Sequence, residues 1–419
     1  MKSCKKNLKK SLLAVLCSSV LLLSACGGND DHSEFSFNQY YLSDKAYQQD
    51  TIDYVSQVRV MSYNMQNVLN KRAKATAMVF YPSTPMPADG WRVVVWEHGT
   101  VGSGDSCAPS LNALNPRFKA MAESLLKEGY VVLAPDYEGL GTQGIHPYLN
   151  LESAAKSAQY AVKALQQHLG NKMQGDWMSV GQSQGGHASL GTAEFENGNS
   201  RYKGAVAGAP ASSLGYIISE IAPTAIARLA AAENIQGSGV AKGTAAKVYS
   251  ELLAYAAYVA VGIKAYEPRF DYNSIFEQRS QPWVAKAEGT TGENGLCLDP
   301  LMKEFENDIN NYVANNAGKT AADYPGLTED FLSNSTIAKF LTVNQPATRY
   351  IDKPVLIIQG ELDTAVPYQV TQALADNLKT NLKTDVTFEL VPGATHTQAI
   401  VQRNAMLVAF IKEHMPASK

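Results

Sequence analysis

The chain has 419 residues, 45% of them hydrophobic and 18% charged, with 31 Gly and 18 Pro, which excludes a disordered, collagen-like or low-complexity polymer. Its length suits about two to three domain equivalents, or one large enzyme core carrying an insertion. A formal net charge of -3 provides no basic surface and argues against nucleic acid as a partner.

Residues 1–26 read MKSCKKNLKKSLLAVLCSSVLLLSAC, with Lys2, Lys5, Lys6, Lys9 and Lys10 ahead of an apolar run from Leu12 to Leu23. That is the pattern of a secretory signal peptide. The run closes on Leu23-Ser24-Ala25-Cys26, which resembles the lipobox of bacterial lipoproteins, where the cysteine is acylated and becomes the first residue. An ordinary cleavage near Ala25 and an uncleaved anchor are the alternatives. Gly27-Gly28 follow without an Asp directly after the cysteine, which favours the outer membrane. The expectation is a lipid-anchored protein of the bacterial cell envelope, held at a membrane through Cys26 without a spanning helix.

Loss of residues 1–25 removes five Lys and no acid and takes the formal charge from -3 to -8. Cys4 and Cys17 leave with the signal and Cys26 takes lipid, so Cys107 and Cys297 remain. Two thiols in an oxidising compartment suggest one disulfide, two unrelated buried cysteines being the alternative. Such a bridge would restrict the unfolded chain by about 4–5 kcal/mol on the loop-entropy model.

From Gly27 to about Gln49 the chain is polar and weakly patterned, which suits a tether. Strands are expected at Ala73 to Tyr81, Arg92 to Glu97 and Tyr130 to Pro135, each β-branched or aromatic and closed by Gly or Pro. Phe118, Met121, Leu125 and Leu126 recur at helical spacing within Asn115 to Glu128. A helix from Leu151 to Leu169, a short strand Trp177 to Val180, a helix from Gln184 and a strand Gly204 to Ala207 follow. Between about Ser212 and Arg349 the chain is Ala-rich and helical, notably Glu220 to Ala232 and Ala241 to Ala265. The strand Lys353 to Gln359, a helix near Gln369 to Leu382, the strand Val386 to Leu390 and a helix from Thr397 to Glu413 complete the pattern.

Alternating apolar strands and helices imply an α/β fold, a mostly parallel sheet with helices on both faces. The organisation expected is a signal at 1–25, a lipidated tether at 26–49, a core at 50–211 and 350–419, and a large helical cap inserted late in the sheet at 212–349. The cap would lie over the carboxyl edge of the strands, where such sheets carry their sites.

Gly181-Gln182-Ser183-Gln184-Gly185 fits G-x-S-x-G between a strand and a helix, the context of a nucleophile elbow. Gly181 and Gly185 let the backbone turn sharply and lift the Ser183 hydroxyl above the sheet. A serine needs a general base, and the base an orienting carboxylate. Asp363 and His396 supply both, each just beyond a late strand, and the order Ser, Asp, His is that of α/β-hydrolases. His32, His168, His187 and His414 occupy no such position. Glu361 is the rival to Asp363, which is preferred for its place in the loop beyond the strand. Oxyanion donors are expected from the backbone N-H of Gln184 and, in Trp96-Glu97-His98-Gly99-Thr100, from Thr100 first and Gly99 second. His98 reads as a buttress rather than the base.

HGT at 98–100, CAPS at 107–110, APDYEGLG at 134–141 with His146-Pro147-Tyr148 behind it, GQSQGG at 181–186, QGELDTAVP at 359–367 and GATH at 393–396 together resemble the secretory lipase family, the fungal lipase A type with its bacterial relatives. The resemblance spans about residues 50–415. It implies an α/β-hydrolase with a large helical cap that acts on carboxylic esters through Ser183, Asp363 and His396. Members of the family often cross-link the loop after the oxyanion strand to the cap, which agrees with pairing Cys107 to Cys297. Fungal members carry further cysteines near the carboxyl end, whereas none follows Cys297 here.

The function expected is a serine lipase or esterase on the cell envelope, acting through an acyl-enzyme, its partner an ester or lipid substrate. The sequence has no H-E-x-x-H, Cys-x-x-Cys or P-loop pattern, so no metal or cofactor is expected. A serine peptidase, an acyltransferase on the same scaffold and a silent lipoprotein that only binds apolar ligands are the alternatives. Leu252 to Val261 would suit an acyl-chain pocket, but a helix buried for packing reads the same.

Overall fold

The structure, a computed structural model, describes residues 38–418. The signal peptide, Cys26 and His32 lie outside the described residues.

Nine strands form one sheet among the described residues: β1 (Tyr41–Ala46), β2 (Val55–Gln66), β3 (Arg72–Pro82), β4 (Trp91–Glu97), β5 (Val131–Pro135), β6 (Met173–Gln182), β7 (Tyr202–Gly208), β8 (Val355–Gly360) and β9 (Val386–Val391). Their order across the sheet is β1-β2-β3-β5-β4-β6-β7-β8-β9. β1, β2, β3 and β5 pair antiparallel in turn, and every pair from β5 onward is parallel.

Four helices of the first half are α1 (Pro116–Lys127), α2 (Leu151–Leu169), α3 (Gln184–Phe195) and the short α4 (Leu214–Tyr216). The cap continues through a π-helical turn at Ile217–Ile221 into α5 (Ala222–Ala232), α6 (Thr244–Ile263), α7 (Gln281–Glu288), α8 (Leu298–Asn315) and α9 (Ser335–Val343). α10 (Tyr368–Thr380), α11 (Gln398–Gln402) and α12 (Asn404–His414) return to the sheet.

The strands β4 and β8 read almost wholly apolar because both faces are covered. Successive side chains point to opposite faces, so Val93, Val95, Leu133 and Ile357 pack with α2 and α10, while Val94, Trp96, Val132 and Ile358 pack with α1, α11 and α12. Each fully buried aliphatic side chain of this kind stabilises the fold by about 1.5–3 kcal/mol over its exposed state. The cap has its own core, built on α6, α7 and α8 with Phe276, Phe305 and Tyr258 at its centre. Cys107 and Cys297 form a disulfide that ties the loop after β4 to the start of α8.

Three expectations are corrected. The stretch 26–49 is not all tether: Tyr41–Ala46 pairs along β2 as the edge strand, and the backbone N-H groups of Tyr40 and Tyr41 donate to Gln167 Oε1 at 2.7 and 2.9 Å. Its polar sequence YLSDKA suits an edge strand, whose side chains stay half exposed. β2 is absent from the expected strands, because Val58 and Val60 pack on one face of the sheet and Met61, Tyr63 and Met65 on the other, so the run shows no single alternating apolar face. The carboxyl-terminal helix breaks at Arg403, whose backbone leaves helical geometry and divides α11 from α12.

Candidate active site

β6 runs into α3 through one residue, Ser183, whose φ of 61° and ψ of -118° are sparsely populated for a residue with a Cβ. The turn is held on both sides. The Ser183 N-H donates to Gly208 O at 2.8 Å, and its carbonyl accepts from the N-H of His187 at 3.0 Å and of Ala211 at 3.2 Å. The flanking glycines are required by close approach: a methyl on Gly181 would strike the carbonyl of Gly185, and one on Gly185 would strike that of Glu97.

Asp363 follows β8, and its Oδ2 accepts from His396 Nδ1 at 2.7 Å and from Gln359 Nε2 at 2.9 Å. Its Oδ1 accepts the backbone N-H groups of Ala365 and Val366 at 2.9 and 2.8 Å. The carboxylate is therefore fixed in position, and buried carboxylates require such partners. Glu361 stands elsewhere, exposed, its Oε2 accepting the Gly393 N-H at 2.9 Å. The loop of His396 is anchored through its carbonyl, which accepts from Gln182 Nε2 at 3.1 Å. His396 Nε2, the ring nitrogen away from Asp363, has no hydrogen-bond partner among the described residues and is on the ring that walls the cleft containing Ser183.

The loop after β4 comes down beside the elbow, where a Cβ on Gly99 would lie 3.8 Å from that of Ser183. Thr100 is pinned by its hydroxyl, 2.6 Å from the Tyr148 hydroxyl. His98 packs behind the loop, its ring nitrogens 2.7 Å from Gly99 O and 3.2 Å from Asp136 O, while burial holds its pKa below the ordinary imidazole value. Its position is that of a support.

The residues of the APDYEGLG run form the scaffold beneath this loop. Asp136 accepts from Ser110 N-H at 2.9 Å and Thr76 Oγ1 at 2.6 Å, and Tyr137, at φ 70°, donates its hydroxyl to His98 O at 3.0 Å. Glu138 accepts the Val68 N-H and the Ser153 hydroxyl. Burial pushes both carboxyls up to about 6. His146 donates from Nδ1 to Glu138 O at 2.8 Å and accepts at Nε2 from the Gln184 amide at 3.1 Å, and burial pushes it down to about 4, so it is a neutral ring that orients Gln184.

Two cavities meet at Ser183. The wide one, about 650 Å³, is walled by His396, Thr100 and Trp96 and by the polar or charged Asn115, Arg117, Glu251 and Asp299. The narrow one, about 80 Å³, runs into the cap between Ala211, Leu214, Ile217, Phe340 and Val366. Leu252, Tyr255, Ala256 and Val259 of α6 face it, whereas Leu253, Ala257, Tyr258 and Val261 pack into the cap core. The apolar helix thus lines a cavity with one face and packs with the other.

Comparison with solved structures decides the fold. The esterase LipA of Xanthomonas oryzae, described as rice cell wall degrading, superposes with a TM-score of 0.63 at 18% identity over 90% of this chain and 98% of that one. A protein of Legionella pneumophila gives 0.65 at 17% identity over 90% and 98%. Candida antarctica lipase A in its closed state gives 0.64 at 15% identity over 91% and 83%. The fold is that of the α/β-hydrolases. The model of the prolyl oligopeptidase family matches residues 317–418, and no curated protein matches the sequence.

Several residues of the site carry no signal in the sequence motifs. Gln359 braces Asp363 from the end of β8, and Gln182, the variable residue inside G-x-S-x-G, braces His396. A polar residue closing an otherwise apolar strand was the available signal. Nothing in the spacing of α6 marks Tyr255, whose side chain walls both cavities.

Proposed function

We propose that the protein is a serine carboxylic-ester hydrolase of the secretory lipase type. His396 takes the Ser183 proton through Nε2 as Oγ bonds the ester carbonyl carbon, and Asp363 holds the imidazole in the tautomer that leaves Nε2 free. The backbone N-H of Gln184 and that of Thr100, or of Gly99 beside it, receive the oxyanion. The carbon-oxygen bond to the alcohol breaks as His396 returns the proton to the leaving oxygen. Water then repeats the cycle on the acyl-enzyme and releases the acid. The observation that carries this reading is the 2.7 Å bond from His396 to Asp363 with the opposite ring nitrogen unpartnered in the cleft of Ser183.

The leaving oxygen must meet His396, so the alcohol occupies the wide arm walled by that histidine, and the acyl group the narrow apolar arm. The neighbours named as an esterase and a lipase support ester substrates. A peptidase reading draws on the prolyl oligopeptidase match, but the matched segment holds Asp363 and His396 without Ser183 or α6. The test is hydrolysis of p-nitrophenyl esters and of an aminoacyl amide by the native protein and by Ser183→Ala. Ester turnover falling about 10⁴-fold or more in the variant is expected. Unchanged turnover removes the nucleophile, and faster cleavage of the amide removes the ester assignment.

The site works in the cell envelope on this proposal, tethered through lipidated Cys26, which the lipobox and the disulfide support. Incorporation of a fatty-acid analogue should vanish in Cys26→Ser. Label that survives the substitution places the anchor elsewhere.

A further inference from the structure

Among the described residues, Ser183 and Tyr255 alone wall both arms. Ser183 is the residue that attacks the ester carbon, so the body between the arms is Tyr255. We propose that this side chain is the partition of the site, a specificity-determining residue that separates acyl chain from alcohol and selects short acyl groups on bulky, polar alcohols. This rests on the ester-hydrolase reading above.

Three observations carry the proposal. Tyr255 is held in place: its hydroxyl donates to Glu251 Oε1 at 2.6 Å, one helical turn back along α6, so the ring stands at a set angle over the elbow. Neighbours on both sides of the ring differ in kind. Leu252, Ala256 and Val259 of the same helix line the apolar arm, while Glu251 lines the polar one with Arg117 and Asp299. The partition therefore coincides with the change from apolar to charged wall, where an acyl chain crossing over would strand charged groups without water.

Volume gives the direction of selection. The narrow arm holds about 80 Å³. That is about an eighth of the wide arm, so a long acyl chain must displace Tyr255 or the cap helices to fit. The wide arm, about 650 Å³, has room for an alcohol several times larger, and its charged walls favour one that carries hydroxyl groups.

The experiment compares kcat/KM for p-nitrophenyl butyrate and decanoate with the full-length protein, native and substituted. The native protein should prefer butyrate. Tyr255→Ala should open one arm into the other and raise the decanoate-to-butyrate ratio about 10-fold or more. Tyr255→Phe keeps the ring but loses its tie to Glu251, and should shift the ratio by less than the alanine variant, by about 3-fold at most. Tyr255→Leu shortens the partition but keeps an apolar helix face, and reads the same shift if the alanine variant does not fold. A folded alanine or leucine variant with the native ratio overturns the proposal, as does a phenylalanine variant that shifts as far as alanine. Unchanged ester turnover in Ser183→Ala overturns the underlying hydrolase reading instead, so the two failures are separable.

Discussion

The carboxyl edge of the sheet and the cap build their parts of the site by different means. At the sheet edge the candidate site residues around Ser183 are tied by polar bonds: Asp363 accepts four, Gln182 braces the loop of His396, and His146 braces Gln184. The cap meets the same cleft mostly with Ala, Leu, Ile and Phe side chains, and its core is held by packing. Directional bonds place atoms to within a fraction of an ångström, which proton transfer demands. Packing sets volume and shape, which is what a choice among substrates demands.

Asp363→Asn offers the largest break in that contrast. Its kcat should fall about 10³–10⁴-fold, because the amide no longer fixes the productive imidazole tautomer, while the acyl-chain preference stays native. Steady-state kinetics over an ester series checks both halves, and a changed preference would mean that the sheet edge also selects. Glu361→Gln, two residues away, should alter kcat by less than about 2-fold, since an exposed carboxylate on one loop N-H contributes little.

The joint between the two regions gives a smaller effect. His187, buried in α3 beneath the elbow, donates from Nε2 to the carbonyl of Asn344 at the end of α9, 2.8 Å away, and burial pushes its pKa from 6.5 down to about 4. The folded state holds the ring neutral, so the stability this contributes is complete above about pH 6.5 and drains away as the pH falls towards 4. His187→Gln should therefore be destabilised at pH 7, with the gap to the native protein narrowing by about 1–2 kcal/mol at pH 5. Chemical denaturation of both chains across this range measures it, and the raised carboxyls Asp136 and Glu138, common to both, drop out of the difference. A constant gap would mean that His187 titrates normally.

Much of the sheet edge was legible because short-range chemistry writes itself into short motifs. Gly181 and Gly185 are demanded by backbone contacts within a few residues of Ser183, and Asp363 lies just beyond the β8 strand that the apolar run marks. β1 and β2 were not legible, since β1 is a half-exposed edge strand and β2 switches its buried side chains from one sheet face to the other midway. Cap composition announced helices, yet helical spacing could not say which face of α6 would pack and which would line a cavity.

By itself the sequence determined the alternation of strand and helix, the strained turn at Ser183 and the candidates for base and carboxylate, all properties of local backbone sterics and apolar period. Only the tertiary structure decided that Asp363 rather than Glu361 meets His396, that the loop of Thr100 settles on Tyr148, and that Tyr255 stands between two unlike cavities. Those choices join residues far apart in the chain, and no local preference encodes the distance between them.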